Sequence, residues 1–240
     1  MSNLDLTIVV PTYNLGHYLP ETLKSIQQQT IDFELWLIDD ASTDGTAQTV
    51  ADFVKGIPNF HATGFNDHRG IGAARNFGID HATGQAVAFV DGDDLIAPTF
   101  AETLSHGFTS GVVATAVGYD WWHRSRGGPN RFQLLSQREM FDQVSRHGSE
   151  VGGYIWNKAF SRDALTAGNI RYDEQLRIAE DYYFTADFVA HTPGKYAYNP
   201  TILYTKVNRR NSTMHNFSWA DRRQEDQIFE RIHRMRQLIQ

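Results

Sequence analysis

Short apolar runs and helical stripes alternate along the first hundred positions. Leu6 to Val10 is continuously apolar and rich in β-formers, and His17 to Gln29 then places Leu19, Leu23 and Ile26 at helical spacing with Pro20 in the first turn. Glu34 to Ile38 predicts a second strand, and Thr46 to Lys55 a helix stopped by Gly56 and Pro58. Phe60 to Phe65 and Ala86 to Val90 predict further strands, separated by a helix over Gly70 to His81, and Pro98 opens another helix through His106. The resulting βαβαβαβ order implies a mainly parallel sheet covered on both faces, with ligands expected at the C-terminal ends of its strands.

The later pattern is less regular. Strands are expected at Val112 to Asp120 and Arg131 to Leu135, then a helix after Ser136, which stands at capping-box distance from Glu139. Helices over Ser161 to Ala167 and Glu180 to His191, and an extended segment from Tyr196 to Val207 broken at Pro200, point to a mixed sheet. Residues 219–240 predict a charged helix with one apolar stripe, Ile228, Ile232, Met235 and Ile239. That stripe suits docking on the chain's own domain or on a second subunit, and its arginines are compatible with peripheral membrane contact.

Composition narrows the classes of function. Among 240 residues 41% are apolar and none is cysteine, which fits a folded domain without disulfides or thiolate metal sites. The net charge of -6 disfavours nucleic acid as a partner. The N-terminus has no basic region before its first strand, and no apolar run approaches the ~20 residues that span a bilayer, so a cytoplasmic location is expected.

The candidate chemistry lies at predicted strand ends. Phe89-Val90-Asp91-Gly92-Asp93-Asp94 sets three carboxylates after an apolar strand, an arrangement that is electrostatically costly unless a cation shares it. Oxygen-only ligands suit Mg²⁺ or Mn²⁺ carrying a substrate phosphate, and a solvated acidic turn is the plain alternative. Asp39-Asp40-Ala41-Ser42-Thr43-Asp44 ends the second strand on the same rim, with Asp44 or Thr43 suited to capping the next helix and Asp39 or Asp40 to a base or ribose. Pro11-Thr12-Tyr13-Asn14 adds an aromatic face and hydrogen-bonding groups. Gly70-Ile71-Gly72-Ala73-Ala74-Arg75 lacks the third glycine of a dinucleotide fingerprint; its small residues suit close helix packing, and Arg75 suits either a diphosphate or a surface ion pair.

In this order VVPTYN, SIQQQT, ELWLIDDASTDGT, GIGAARNFGIDHATG and FVDGDD resemble the family 2 glycosyltransferases of the GT-A fold. The resemblance implies an α/β domain over residues 1–215, with a nucleotide-sugar-binding half (1–100), a smaller mixed acceptor-binding half (101–215) and a C-terminal amphipathic helix (216–240). It assigns Pro11, Thr12, Tyr13, Asn14, Asp40, Arg75, Asp91, Gly92 and Asp93 to the donor, a UDP-sugar above all, and Asp91 with Asp93 to the DxD pair, Asp94 leaving the direct metal ligand open. Ile178-Ala179-Glu180-Asp181 resembles the ED motif, making Asp181 the catalytic base and Glu180 an acceptor contact, although both residues also suit a helix start; Trp156-Asn157-Lys158 resembles the segment before it, with Trp156 toward the acceptor. Tyr204 to His215 resembles the late substrate loop, offering Arg209 and Ser212 to the diphosphate and His215 to a metal. The implied activity is metal-dependent, inverting transfer to a carbohydrate, lipid-linked or polypeptide acceptor. A nucleotidyltransferase is the main rival, yet PTYNLGHY lacks the cationic charge its first loop needs, and a non-catalytic donor-binding partner is the second.

Overall fold

The computed structural model describes residues 5–121, 124–208 and 219–239. Its sheet runs β3 (Phe60–Gly64), β2 (Glu34–Asp39), β1 (Leu6–Thr12), β4 (Ala86–Phe89), β9 (Lys158–Ser161), β6 (Val112–Trp121), β10 (Lys195–Lys206), β5 (Leu95–Ile96), with β7 (Arg124–Arg126) beside β6 and β8 (Gln133–Ser136) beside β10. β1 to β4 pair in parallel. β9 is antiparallel to both β4 and β6, and β10 is parallel to β6, so β1, β2, β4, β6 and β10 all point their C-terminal ends to one rim. This is the GT-A arrangement: a mostly parallel sheet flanked by helices, a smaller mixed region and a C-terminal helix.

The central strands are buried on both faces, which explains their unbroken apolar runs; every residue of β1 and of β4 is buried. Helices α1 (Leu19–Gln27), α2 (Thr46–Val54), α3 (Ile71–His81) and α4 (Phe100–His106) occupy the predicted places. In α3 the small residues serve packing, because a Cβ on Gly78 would lie 2.3 Å from Val9 Cγ1. The capping box forms at α5 (Gln137–Val144): the Ser136 hydroxyl accepts from the Glu139 N–H, and Glu139 accepts from the Ser136 N–H at 2.8 Å.

Two differences from the sequence pattern matter. β9 was not expected, since four residues carry no readable period, yet it joins the parallel part of the sheet to the later strands. β10 runs through Pro200; the ring's missing donor is accommodated by a register shift between Asn199 and Ile202, while the Pro200 carbonyl accepts from Gly128 at 2.7 Å. Helix α6 (Arg162–Ala167) is as expected, and α7 (Glu180–His191) receives α8 (Trp219–Met235) on its side. Ile228 and Ile232 are buried there, and Arg231 lies over the Tyr183 ring at 4.3 Å, so the apolar stripe of the last helix is covered within its own chain.

Candidate active site

The rim gathers the acidic cluster and, among the described residues, two cations that hold it. Asp91 leaves β4 with one carboxylate oxygen 3.0 Å from Arg75 Nη2 and the other 2.7 Å from Lys206 Nζ, at the end of β10. Asp94, fully buried, accepts from the Tyr204 hydroxyl at 2.6 Å, from Lys206 at 2.9 Å and from the Val207 N–H at 2.8 Å. Tyr204 Oη also accepts from the Asp91 N–H at 3.1 Å. Burial pushes the Asp91 carboxyl up, but Lys206 and then Arg75 outweigh it and hold it well below the usual range. At Asp94 burial wins, helped by Asp91 and Asp93, and the carboxyl is raised. Burial pulls the Lys206 ammonium down, yet Asp91 and Asp94 raise it above its ordinary value, so it stays charged.

Arg75 is the centre of the site and not a surface ion pair. Its side chain is 1% exposed; it bonds Asp181 and Asp91, stands 3.5 Å from Glu180, and lies 5.2 Å from the Tyr172 ring. Helix α3 thus brings the acidic turn after β4 and the start of α7 onto one guanidinium. Ala179 precedes α7 in the left-handed region, φ 50°, which turns the chain so that Glu180 and Asp181 face that guanidinium. Burial raises the Asp181 carboxyl against the pull of Arg75, and Asp91 adds to the rise. Burial and the Asp181 charge raise Glu180 as well.

A second group lies where β1 and β2 end. Thr12 is buried and donates to Asp39 at 3.1 Å, and Asp39 also accepts from the Ser42 hydroxyl at 2.6 Å. Asn14, at φ 47°, accepts from the Thr43 N–H at 2.8 Å and ties the two loops together. Asp44 accepts from the Thr46 N–H at 2.8 Å at the start of α2. Asp40 accepts from the Arg69 and Gly70 N–H groups at 2.7 and 2.8 Å and meets His68 at 2.9 Å, so it shapes the turn before α3. His68 stacks on Tyr13, an exposed residue that offers an aromatic surface to a ligand here. Pro11 is buried, and its carbonyl would lie 3.1 Å from a Cβ on Gly92, which fixes how closely the first loop passes the acidic turn.

The segment before α7 is built from inside. Trp156 is 2% exposed between Tyr154 and Tyr204, with Lys206 Nζ 6.0 Å from its ring. Lys158 is fully buried and donates to the Tyr154 carbonyl at 2.6 Å, the Asn157 side chain at 2.7 Å and the Val151 carbonyl at 3.3 Å. Arg209, Ser212 and His215 lie outside the described residues.

The sequence profile described as Glycosyl transferase family 2 matches residues 7–167, well over half of the chain. The chain belongs to that family. It is 27% identical over 188 residues to an uncharacterized glycosyltransferase, EpsJ, of Bacillus subtilis, covering 75% of this chain and 54% of the relative. It is 29% identical over 187 residues to the minor teichoic acid biosynthesis protein GgaB of the same organism, covering 75% of this chain and 20% of the relative. The chain therefore spans about half or less of the length of these relatives. Among solved structures, S. aureus TarS in complex with UDP-GlcNAc superposes with a TM-score of 0.73 at 22% identity, over 90% of this chain and 62% of that one. A Pyrobaculum calidifontis mannosyltransferase in complex with GDP-Man and Mn²⁺ gives 0.65 at 23%, over 86% and 58%. These likenesses establish the fold of this family 2 chain.

As a cation site the acidic turn has suitable chemistry. Asp91, Asp93 and Asp94 offer oxygens within 4.8 Å of one another, a hard donor set that suits Mg²⁺ or Mn²⁺. Tyr204 and Lys206 fall in the segment expected to be the late substrate loop, but neither was singled out there, and both instead hold the acidic turn. Their alternation on β10 puts both side chains on one face of a strand ending at the rim, and that was the available signal.

Proposed function

We propose that the chain is an inverting glycosyltransferase that moves a sugar from a nucleoside diphosphate sugar, preferentially a UDP-sugar, to an acceptor hydroxyl. The observation that carries this reading is the buried Arg75 shared by Asp91 of the acidic turn and Asp181 of α7, which joins the donor side and the candidate base in one place. The exposed Tyr13 ring, with Thr12, Asn14 and Asp40 around it, suits the nucleoside base and ribose. Asp91, Asp93 and Asp94 suit a divalent cation, which when bound neutralises charge on the departing diphosphate. A single displacement accounts for inversion. The acceptor oxygen bonds to the anomeric carbon as the bond to the β-phosphate oxygen breaks, its proton passes to Asp181, and the electron pair leaves with the diphosphate. Burial has raised the Asp181 carboxyl, which makes its ionised form a stronger base. Glu180 beside Arg75 suits an acceptor contact, whereas Trp156, expected to meet the acceptor, is buried between Tyr154 and Tyr204 and supports the site from beneath; the teichoic acid role printed for GgaB favours surface polysaccharide or glycoconjugate synthesis.

No helix among the described residues is long and apolar enough to cross a membrane. The test is nucleotide release from a panel of UDP-sugars, with GDP-mannose as comparator, in Mn²⁺ and in EDTA. Metal-dependent release of UDP supports the proposal; release from GDP-mannose alone moves the base specificity, and release from none of the donors refutes it.

A further inference from the structure

Among the described residues two cations hold the acidic turn, and they differ in how firmly they are built in. Arg75 is 1% exposed and forked among Asp91, Glu180 and Asp181, so its departure would strand the two carboxyls of α7 and leave Asp91 with Lys206. Lys206 is 21% exposed, ends its strand, and reaches Asp91 and Asp94 with a single ammonium on a flexible stem. Its nitrogen sits 2.7 and 2.9 Å from oxygens of two of the three carboxylates that together could hold a metal. A divalent cation drawing on Asp91 and Asp94 meets a positive charge already in place within hydrogen-bond distance of both. Asp94 has no slack to absorb the conflict, because Tyr204 and the Val207 N–H occupy its oxygens as well.

We propose that Lys206 is the tethered counter-ion of the acidic turn, a charge that a divalent cation must displace and that the incoming diphosphate then receives. The inference rests on the functional reading above and adds a specificity to it: metal and nucleotide enter together, because the diphosphate supplies the new anion for the displaced ammonium. Metal alone faces both the lysine and the loss of its bonds.

The test is Mn²⁺ binding to the full chain, followed by electron paramagnetic resonance without nucleotide, for wild type, Lys206→Met and Lys206→Arg, with circular dichroism melting to confirm that each is folded. Removing the charge should tighten Mn²⁺ binding by roughly tenfold or more, while Lys206→Arg, which keeps the charge, should bind as weakly as wild type. Unchanged or weaker binding in a folded Lys206→Met overturns the proposal. So does an absence of Mn²⁺ binding in all three proteins with UDP present. Should Lys206→Met not fold, the wild type decides: the Lys206 Cε carbon resonance, assigned by its loss in Lys206→Arg, should shift on adding Mg²⁺ with UDP and stay near its starting value with Mg²⁺ alone. A resonance unmoved by Mg²⁺ with UDP overturns it. UDP binding that is intact but indifferent to metal sinks this inference and leaves the base pocket standing. Failure of UDP and UDP-sugars to bind at all, with Mn²⁺ still tightened by Lys206→Met, sinks the functional reading instead.

Discussion

Replacing Arg75 by Met keeps an unbranched side chain and removes the charge on which Asp91, Glu180 and Asp181 converge. Removing one partner of a buried ion pair typically costs ~3 to 5 kcal/mol, because the other charge stays buried without compensation. The site sets a second limit on that cost. An uncompensated carboxyl can take up a proton, and for Asp181, ordinarily at 3.8, being held protonated at pH 7 costs about 4 kcal/mol, at 1.36 kcal/mol per unit. Both figures are ceilings, because the raised Asp181 carboxyl of the wild type already bears part of the second cost, so Arg75→Met should lose between about 1 and 4 kcal/mol at pH 7. The second also predicts a pH dependence: the folded variant binds a proton that the unfolded chain lacks, so the loss shrinks at pH 5, to no more than about 2 kcal/mol. Urea unfolding of both proteins at the two pH values, followed by circular dichroism, measures it. A loss below about 1 kcal/mol at pH 7, or the same loss at both pH values, would refute the reasoning and reduce Arg75 to a packed side chain.

Further outcomes follow from other contacts. Burial pushes the Glu34 carboxyl up, but the Thr7 hydroxyl at 2.6 Å and the Thr83 N–H at 2.7 Å outweigh it and lower its pKa below 4.5. That stability is present above pH 4.5 and disappears as pH falls through the folded value, so Glu34→Gln should melt lower than wild type at pH 7, with the difference closing in acid; a constant difference contradicts it. Gly78→Ala gains about 1 kcal/mol in helix propensity but drives a methyl to 2.3 Å from Val9 Cγ1, and overpacking at ~1 to 3 kcal/mol should win; a raised melting temperature would show that the sheet yields instead. Asp40→Ala leaves the Arg69 and Gly70 N–H groups without their acceptor, so it should lower the melting temperature and weaken UMP as well as UDP. Weakening of UDP alone would place the base elsewhere.

How much of this was legible depended on whether the signal was local. β1, β2 and β4 are buried on both faces and bounded by turn residues, so their apolar runs announced them and fixed where Asp40 and Asp91 would stand. β5, β7 and β9 are two to four residues long, too short for a period to be read, and exist because neighbouring strands offer a ladder. The partners within the site were the hidden part. Arg75 reads equally as a surface cation until α3 is seen to bury it against the start of α7, and Lys206 reaches the acidic turn only through the order in which β6, β9 and β10 join the sheet. Even Asp40, which stands at the rim as its place after β2 implied, has its oxygens engaged by backbone groups from a turn that no local pattern links to it.

The central claim is that Asp181 takes the acceptor proton beside a donor held by the acidic turn, and Asp181→Asn isolates it. The amide keeps the size of the side chain while losing the ability to accept that proton. Single-turnover transfer from the UDP-sugar that the donor panel selects, measured together with donor affinity, should show the rate falling by about 10²-fold or more while affinity changes little. Transfer near the wild-type rate with donor binding intact would contradict the account and move the base to another carboxylate, Glu180 first.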